Sequence, residues 1–149
     1  MELEQLAAQA SQVMKEAGAV IRAIPRPKIY TKEGHANFVT EGDVASQNYL
    51  MEHLSPLLPE AHFFAEEQEE NQLAPGYNWV IDPIDGTTNF IRGYQSWCIS
   101  VGLVLDGEGL LLSLIHIFYF AKPTSLYALH TPWIFRNIAG LSVPLFQTT

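Results

Sequence analysis

The chain has 149 residues, of which 16 are acidic and 8 are basic, so its formal net charge is −8. This length is enough for one modest domain with a buried core. The acidic balance argues against a nucleic-acid-binding surface, which needs lysine and arginine to neutralise phosphates. The single cysteine, Cys98, excludes an internal disulfide framework and fits a reducing, cytoplasmic setting.

Hydropathy argues against a membrane partner. The chain starts Met-Glu-Leu-Glu-Gln, which lacks the basic and apolar regions of a signal peptide. The longest apolar run, 110–121, is shorter than the roughly 20 apolar residues that span a bilayer. We therefore expect no secretion signal and no transmembrane segment.

The apolar pattern predicts two helices in the first third of the chain. Apolar residues recur every three or four positions from 3 to 24, which is typical of an amphipathic helix, and prolines follow at once. Residues 28–39 are rich in β-forming residues and indicate a short hairpin. Thr40 and Asp43 then have the spacing of a capping box, which predicts a second helix that frays near Pro56 and Pro59.

Strands are predicted in the next segment of the chain. Short strands are expected over 61–65 and 77–82, and a longer one over 96–105. In the longer strand, large residues alternate with small ones, which is typical of a central strand. Asp106 and Gly107 predict a hairpin turn, and the chain from residue 110 is expected to return beside that strand.

The run 79–90, Trp-Val-Ile-Asp-Pro-Ile-Asp-Gly-Thr-Thr-Asn-Phe, carries the clearest chemical signal. It places two carboxylates, Asp82 and Asp85, at the end of an apolar strand. Carboxylate oxygens are ligands that Mg²⁺ prefers. The Gly-Thr-Thr turn that follows offers backbone N–H groups and hydroxyls, which suit a phosphate. Together these features indicate metal-assisted hydrolysis of a phosphate ester.

The segment from Asp82 to Phe90 resembles the signature of the inositol monophosphatase family of Mg²⁺-dependent, lithium-sensitive phosphatases. The resemblance extends upstream, where Phe-Ala-Glu-Glu ending at Glu67 is similar to a family strand that ends Gly-Glu-Glu. Lys32 and the Val-Thr-x-x-Asp segment ending at Asp43 also match family positions. The resemblance implies an α/β fold, the N-terminal part of a layered α/β/α/β/α sandwich, truncated.

The resemblance implies a metal site built from four residues. Glu66, Asp82 and the backbone carbonyl of Ile84 would bind one Mg²⁺. Asp82 would bridge to a second Mg²⁺, which Asp85 would also bind. The family completes this second site with an aspartate from a later Trp-Asp segment, and this chain has no Trp-Asp pair. We therefore expect a half-site.

The resemblance also implies catalytic and substrate-binding roles. Glu66 and Thr87 would orient the attacking water. The substrate phosphate would be held by Asp85, Gly86, Thr87 and Thr88.

Two supporting residues have alternative interpretations. Asp43 is expected to cap a helix, with a second possible role in tuning the site from behind the ligands. Lys32 either balances the carboxylates or is an exposed surface lysine.

Composition changes near residue 111. Every Asp and Glu lies between Glu2 and Glu108, and 112–149 contains none. A single fold rarely changes composition so abruptly. We therefore predict a family-like region over 1–111 and an unmatched tail over 112–149. The tail is either an artefactual junction or a divergent native C-terminus.

The function implied by the resemblance is Mg²⁺-dependent hydrolysis of a small phosphate monoester, with inositol monophosphate as the default substrate. The family is usually homodimeric. Families that share the signature act on fructose 1,6-bisphosphate or on 3′-phosphonucleotides, and both remain alternatives. A further alternative is a truncated, non-catalytic fragment that binds divalent cations weakly.

Overall fold

A computed structural model of the chain contains a five-stranded sheet with two helices packed on one face. It describes residues 2–31, 38–68, 72–116 and 124–129. The elements in chain order are α1 (Leu3–Arg22), β1 (Ile29–Thr31), β2 (Phe38–Thr40), α2 (Glu41–Leu54), β3 (His62–Ala65), β4 (Tyr77–Asp85), α3 (Thr87–Ile91), β5 (Cys98–Leu105), β6 (Glu108–His116) and β7 (Thr124–Leu129).

The sheet has the strand order β3-β4-β5-β6-β7. β3 pairs with β4 in parallel, with Ala65 beside Ile81, and the remaining neighbours are antiparallel. β5 lies at the centre of this order, which confirms the central strand predicted from its alternating pattern. Because β3 and β4 run in the same direction, the residues that follow Ala65 lie close to the end of β4.

The hydrophobic core lies between this sheet and the helices. α1 and α2 contact each other, and α1 also contacts β5 and β6. The alternate residues Ile99, Val101 and Leu103 of β5 belong to this core. The large side chains that are fully buried are Trp79, Met14, Ile21, Leu50, Leu54, Ile81, Ile84, Ile99, Leu103 and Leu111.

The start of α2 follows the prediction closely. Thr40 Oγ1 accepts a hydrogen bond from the Asp43 backbone N–H at 3.3 Å, and the Thr40 N–H donates to Asp43 Oδ2 at 2.7 Å. This reciprocal pair is the predicted capping box. β1 and β2 form the predicted antiparallel hairpin, with Ile29 paired to Thr40.

The end of β4 differs from the prediction. The strand does not stop at Asp82 but continues across Pro83 to Asp85, with a break in its register to β5 between the two aspartates. The predicted Gly-Thr-Thr turn is also wrong beyond its glycine. Gly86 has φ +95° and caps α3, so Thr87 and Thr88 lie in the first turn of a short helix. The left-handed glycine reverses the chain, and helical hydrogen bonds then replace an open turn.

β6 continues through the boundary that we predict at residue 111. Its backbone pairs with β5 on one side and with β7 on the other. The division into 1–111 and 112–149 therefore stays a prediction. None of the helices in the described ranges is long and apolar enough to cross a membrane.

We expect Leu50→Ala to lower the free energy of unfolding by about 2–5 kcal/mol, because it leaves a cavity where a fully buried side chain fills the core. Val44→Ala is the matched control on α2, since Val44 is 43% exposed, and its effect should stay within about 0.5 kcal/mol. Urea unfolding of both variants measures the difference. Equal losses would contradict the described packing of α2.

Candidate active site

A cleft of about 250 Å³ lies where β3 and β4 end. Its lining residues are Phe38, Glu66, Asp82, Ile84, Asp85, Gly86, Thr87, Thr88 and Asn89. The structure thus brings together every residue for which the resemblance implied metal, catalytic or substrate contact. Lys32 lies outside the described residues, so its predicted supporting role stays a prediction.

Glu66 is positioned by the backbone around it. Its N–H donates to the Ile81 carbonyl at 3.1 Å, which extends the parallel pairing of β3 and β4 by one residue. The next N–H, that of Glu67, donates to Gln47 Oε1 on α2 at 3.0 Å. The backbone at Glu66 is therefore held by β4 on one side and by α2 on the other.

Asp82 has the most perturbed environment in the cleft. Its Oδ1 is buried, and among the described residues it has no hydrogen-bond partner. Burial raises the pKa of Asp82 to about 8, and the nearby carboxylates of Glu66, Asp85 and Asp43 add to the rise. Glu66 contributes more to this rise than Asp85 or Asp43 does. An unpaired buried oxygen among like charges is costly, and a bound cation would remove that cost.

The donors in this cleft fit a hard divalent cation. The residues that the structure describes include no group of three or more Asp, Glu, His or Cys side chains that could hold a metal ion. Mg²⁺ does not need such a group, because it keeps several waters and is usually bound through one or two carboxylates. Glu66 and Asp82 would supply those carboxylates, and Ile84, whose carbonyl the resemblance implies as a further ligand, also lines the cleft.

Thr87 is linked to the residue that caps α2. Its Oγ1 lies 3.1 Å from Asp43 Oδ1 and 3.0 Å from the Ile84 carbonyl oxygen, and it can donate its one proton to either. Asp43 itself is fully buried. It therefore takes part in the predicted capping box of α2 with one oxygen and contacts Thr87 with the other, while its tuning of the site stays a prediction.

Gly86 can turn the chain because no side chain is present. Its φ of +95° is strained for any other residue, and an added Cβ would lie 3.0 Å from the Ser96 carbonyl oxygen. The same carbonyl accepts a hydrogen bond from Asn89 Nδ2 at 2.8 Å. The segment before β5 thus packs directly against the turn that starts α3.

Sequence reasoning missed two buried polar residues of α2, Ser46 and Gln47. Ser46 Oγ donates to the Pro83 carbonyl at 3.1 Å, and Gln47 Oε1 accepts from the Glu67 N–H. Their spacing from Asp43, three and four residues, was the available signal, since it places all three on one helix face. Phe38 and Asn89 of the cleft lining were not singled out either.

Without divalent cations, we expect the free energy of unfolding to fall as pH rises from about 4 to about 8. Folded Asp82, with its pKa of about 8, keeps a proton that the unfolded chain releases near its ordinary value of 3.8. The slope from this one proton is at most about 1.4 kcal/mol per pH unit.

Urea unfolding in EDTA across this pH range measures the slope. Asp82→Asn should flatten it, whereas Glu60→Gln, which changes an exposed carboxylate, should not. Identical slopes in the wild type and Asp82→Asn would show that Asp82 does not titrate in this way.

The sequence is similar to those of known proteins over most of the chain. Residues 2–131 match the profile described as the inositol monophosphatase family, so the match extends beyond residue 111. Inositol monophosphatase 1 of Solanum lycopersicum is 34% identical over 108 residues, which cover 69% of this chain and 40% of that protein. A fructose-1,6-bisphosphatase/inositol-1-monophosphatase of Aquifex aeolicus is 31% identical over 123 residues, covering 82% and 45%. The chain spans less than half the length of these two relatives.

Solved structures show the same fold. Staphylococcal inositol monophosphatase-1, in a LiCl-soaked inhibitory complex, has a TM-score of 0.76 at 23% identity, covering 87% of this chain and 49% of that one. An IMPase/NADP phosphatase complexed with Mg²⁺ and phosphate has a TM-score of 0.70 at 22% identity, covering 83% and 51%. The truncated layered α/β fold expected from the sequence is confirmed.

Proposed function

Because the chain belongs to the inositol monophosphatase family, we propose that its cleft hydrolyses phosphate monoesters with the help of Mg²⁺. One observation carries the proposal: a buried, unpartnered oxygen of Asp82, within the described structure, lies among the carboxylates of Glu66, Asp85 and Asp43. Such an arrangement is stabilised by a cation and destabilised without one. Inositol monophosphate is the proposed substrate, since several relatives are named inositol monophosphatases.

Glu66, Asp82 and the Ile84 carbonyl would hold the Mg²⁺ in this proposal, and Asp85 would contribute to a second site. When bound, Mg²⁺ lowers the pKa of a coordinated water and neutralises charge on phosphoryl oxygens. The chain contributes the fixed spacing of these oxygens. Pro83 restricts the backbone between the two aspartates, which limits the ordering cost of binding.

Thr87 and Glu66 would orient the attacking water. When the Thr87 hydroxyl donates its proton to Asp43 Oδ1, at 3.1 Å, its oxygen is free to accept a hydrogen bond from that water. Glu66 would accept the proton that the water loses. A water held between two such acceptors is oriented for attack on phosphorus, and no covalent intermediate with the protein is needed.

The phosphate group would lie at the start of α3. The backbone N–H groups of Gly86, Thr87 and Thr88 and the Thr88 hydroxyl would provide donors to the phosphate, with Asp85 beside them. Donors on a rigid backbone stabilise developing negative charge without reorganising. The proposed setting is a cytoplasmic enzyme, homodimeric like its family, that acts on small phosphorylated substrates.

Phosphate release from inositol 1-phosphate during a Mg²⁺ titration tests the proposal, with the chain assayed alone and within its full-length protein. We expect Mg²⁺-dependent release in the full-length protein and a loss on the order of 100-fold in Asp82→Asn, which removes a charged ligand. Glu60→Gln, an exposed carboxylate outside the cleft, is the matched control. Release that is independent of Mg²⁺, or unaffected by Asp82→Asn, would contradict the proposal.

Fructose 1,6-bisphosphate and a 3′-phosphonucleotide should be assayed in parallel. The bifunctional name of the Aquifex aeolicus relative is the observation that favours the first of these. Faster hydrolysis of either compound than of inositol 1-phosphate would reassign the substrate and leave the chemistry in place.

Divalent-cation binding without turnover is the second candidate function of the 149-residue chain. It is favoured by the coverage of the relatives, since the chain spans only 40% and 45% of the length of two inositol monophosphatase relatives. Activity in the full-length protein but not in the chain alone would support it.

A further inference from the structure

We propose that Ser46 and Gln47 are positioning residues, which fix the Glu66 turn relative to the Asp82–Asp85 segment. The inference rests on the proposed cation site and goes beyond it, since neither side chain lines the cleft. Each acts through a backbone group next to a proposed ligand. α2 is then the element that sets the spacing between the two halves of the site.

Burial and spacing on α2 support this role. Asp43 and Ser46 are fully buried and Gln47 is 7% exposed. Polar side chains are rarely buried to this extent unless hydrogen bonds compensate them. Positions 43, 46 and 47 share one helix face, so all three meet the same part of the structure. Ser46 and Gln47 contact the two segments that carry the proposed ligands, and Asp43 contacts Thr87.

Ser46 supports the segment between the two aspartates. The register of β4 against β5 pairs Asp82 with Ser100 and then resumes only at Asp85, which is paired with Cys98. Pro83 therefore lies in the irregular part of the ladder. Its carbonyl accepts the Ser46 hydroxyl at 3.1 Å. That hydrogen bond anchors the residue next to the Ile84 carbonyl, a proposed ligand.

Gln47 supports the other segment. β3 is an edge strand of the sheet as described, paired there with β4, and the turn after it carries Glu66. The Glu66 N–H donates to the Ile81 carbonyl of β4, and the N–H of the next residue, Glu67, donates to Gln47 Oε1 at 3.0 Å. The same turn is closed by the Gln68 N–H, which donates to the Ala65 carbonyl at 3.0 Å. Gln47 therefore fixes the backbone that presents the Glu66 carboxylate.

Ser46 and Gln47 are neighbours on α2, so their two hydrogen bonds limit how far the ligand segments can separate. Residues 46 and 47 are separated by only about 1.5 Å along a rigid helix axis, so the two ligand segments cannot move apart without breaking one of these two hydrogen bonds. Mg²⁺ demands near-ideal ligand geometry. Removing an anchor should therefore weaken Mg²⁺ binding while the ligands themselves stay in place.

The test uses Ser46→Ala, Gln47→Leu and Gln47→Glu, with Ser11→Ala as matched control. Ser11 is an equally buried helical serine with a polar contact, but it lies on α1, outside the cleft lining. Mg²⁺ binding is measured by calorimetry on the full chain. We expect Ser46→Ala and Gln47→Leu to raise the Mg²⁺ Kd by about 10-fold or more relative to Ser11→Ala. Gln47→Glu keeps the acceptor for the Glu67 N–H and adds a negative charge, so its Kd should lie well below that of Gln47→Leu.

Amide hydrogen exchange in EDTA provides a second readout that needs no metal. Peptides covering 65–68 should exchange faster in Gln47→Leu, and peptides covering 82–88 faster in Ser46→Ala, with little change in Ser11→Ala. Unchanged exchange in those peptides would overturn the proposal, as would equal Kd values in Ser46→Ala and Ser11→Ala. A wild type that binds no Mg²⁺ would refute the proposed cation site instead, and the exchange data would still decide the roles of Ser46 and Gln47.

Discussion

Glu66 and Asp82 lie side by side because β3 runs parallel to β4 and pairs Ala65 with Ile81, so that an acidic residue follows each member of that pair. Burial raises the pKa of Asp82 to about 8, and the nearby carboxylates of Glu66, Asp85 and Asp43 add to the rise. The Oδ1 atom of Asp82 is buried without a partner among the described residues. This arrangement is electrostatically unfavourable, so a fold that maintains it favours the binding of a cation.

The surrounding elements resist the tendency of these carboxylates to separate. α2 contacts both ligand segments through Ser46 and Gln47, and its cap, Asp43, reaches Thr87 on α3. Gly86 lets the chain turn into α3 close to the segment before β5. A Cβ added at Gly86 would lie 3.0 Å from the Ser96 carbonyl oxygen. Because Leu50 and Leu54 pack α2 into the core, they affect the geometry of the site as well as the stability of the fold.

Local patterns predicted much of the fold. The capping box at Thr40 and the alternation in β5 each depend on neighbouring residues, and the structure confirms them. The passage of β4 across Pro83 and the anchors on α2 could not be predicted, because they depend on tertiary contacts. Ser46 and its partner are 37 residues apart in the chain, and Gln47 and its partner are 20 apart. The cleft residues were found through the signature, whereas Ser46 and Gln47 have no motif of their own.

We propose that Glu66 and Asp82 together bind a divalent cation. Anomalous diffraction from crystals of the chain grown with Mn²⁺, a substitute for Mg²⁺ with a measurable signal, tests it most directly. The account predicts a peak bonded to Asp82 Oδ1 and to a Glu66 oxygen, at roughly 2.1 Å. A cleft without a peak at saturating Mn²⁺, or an ion bound only elsewhere, would contradict it.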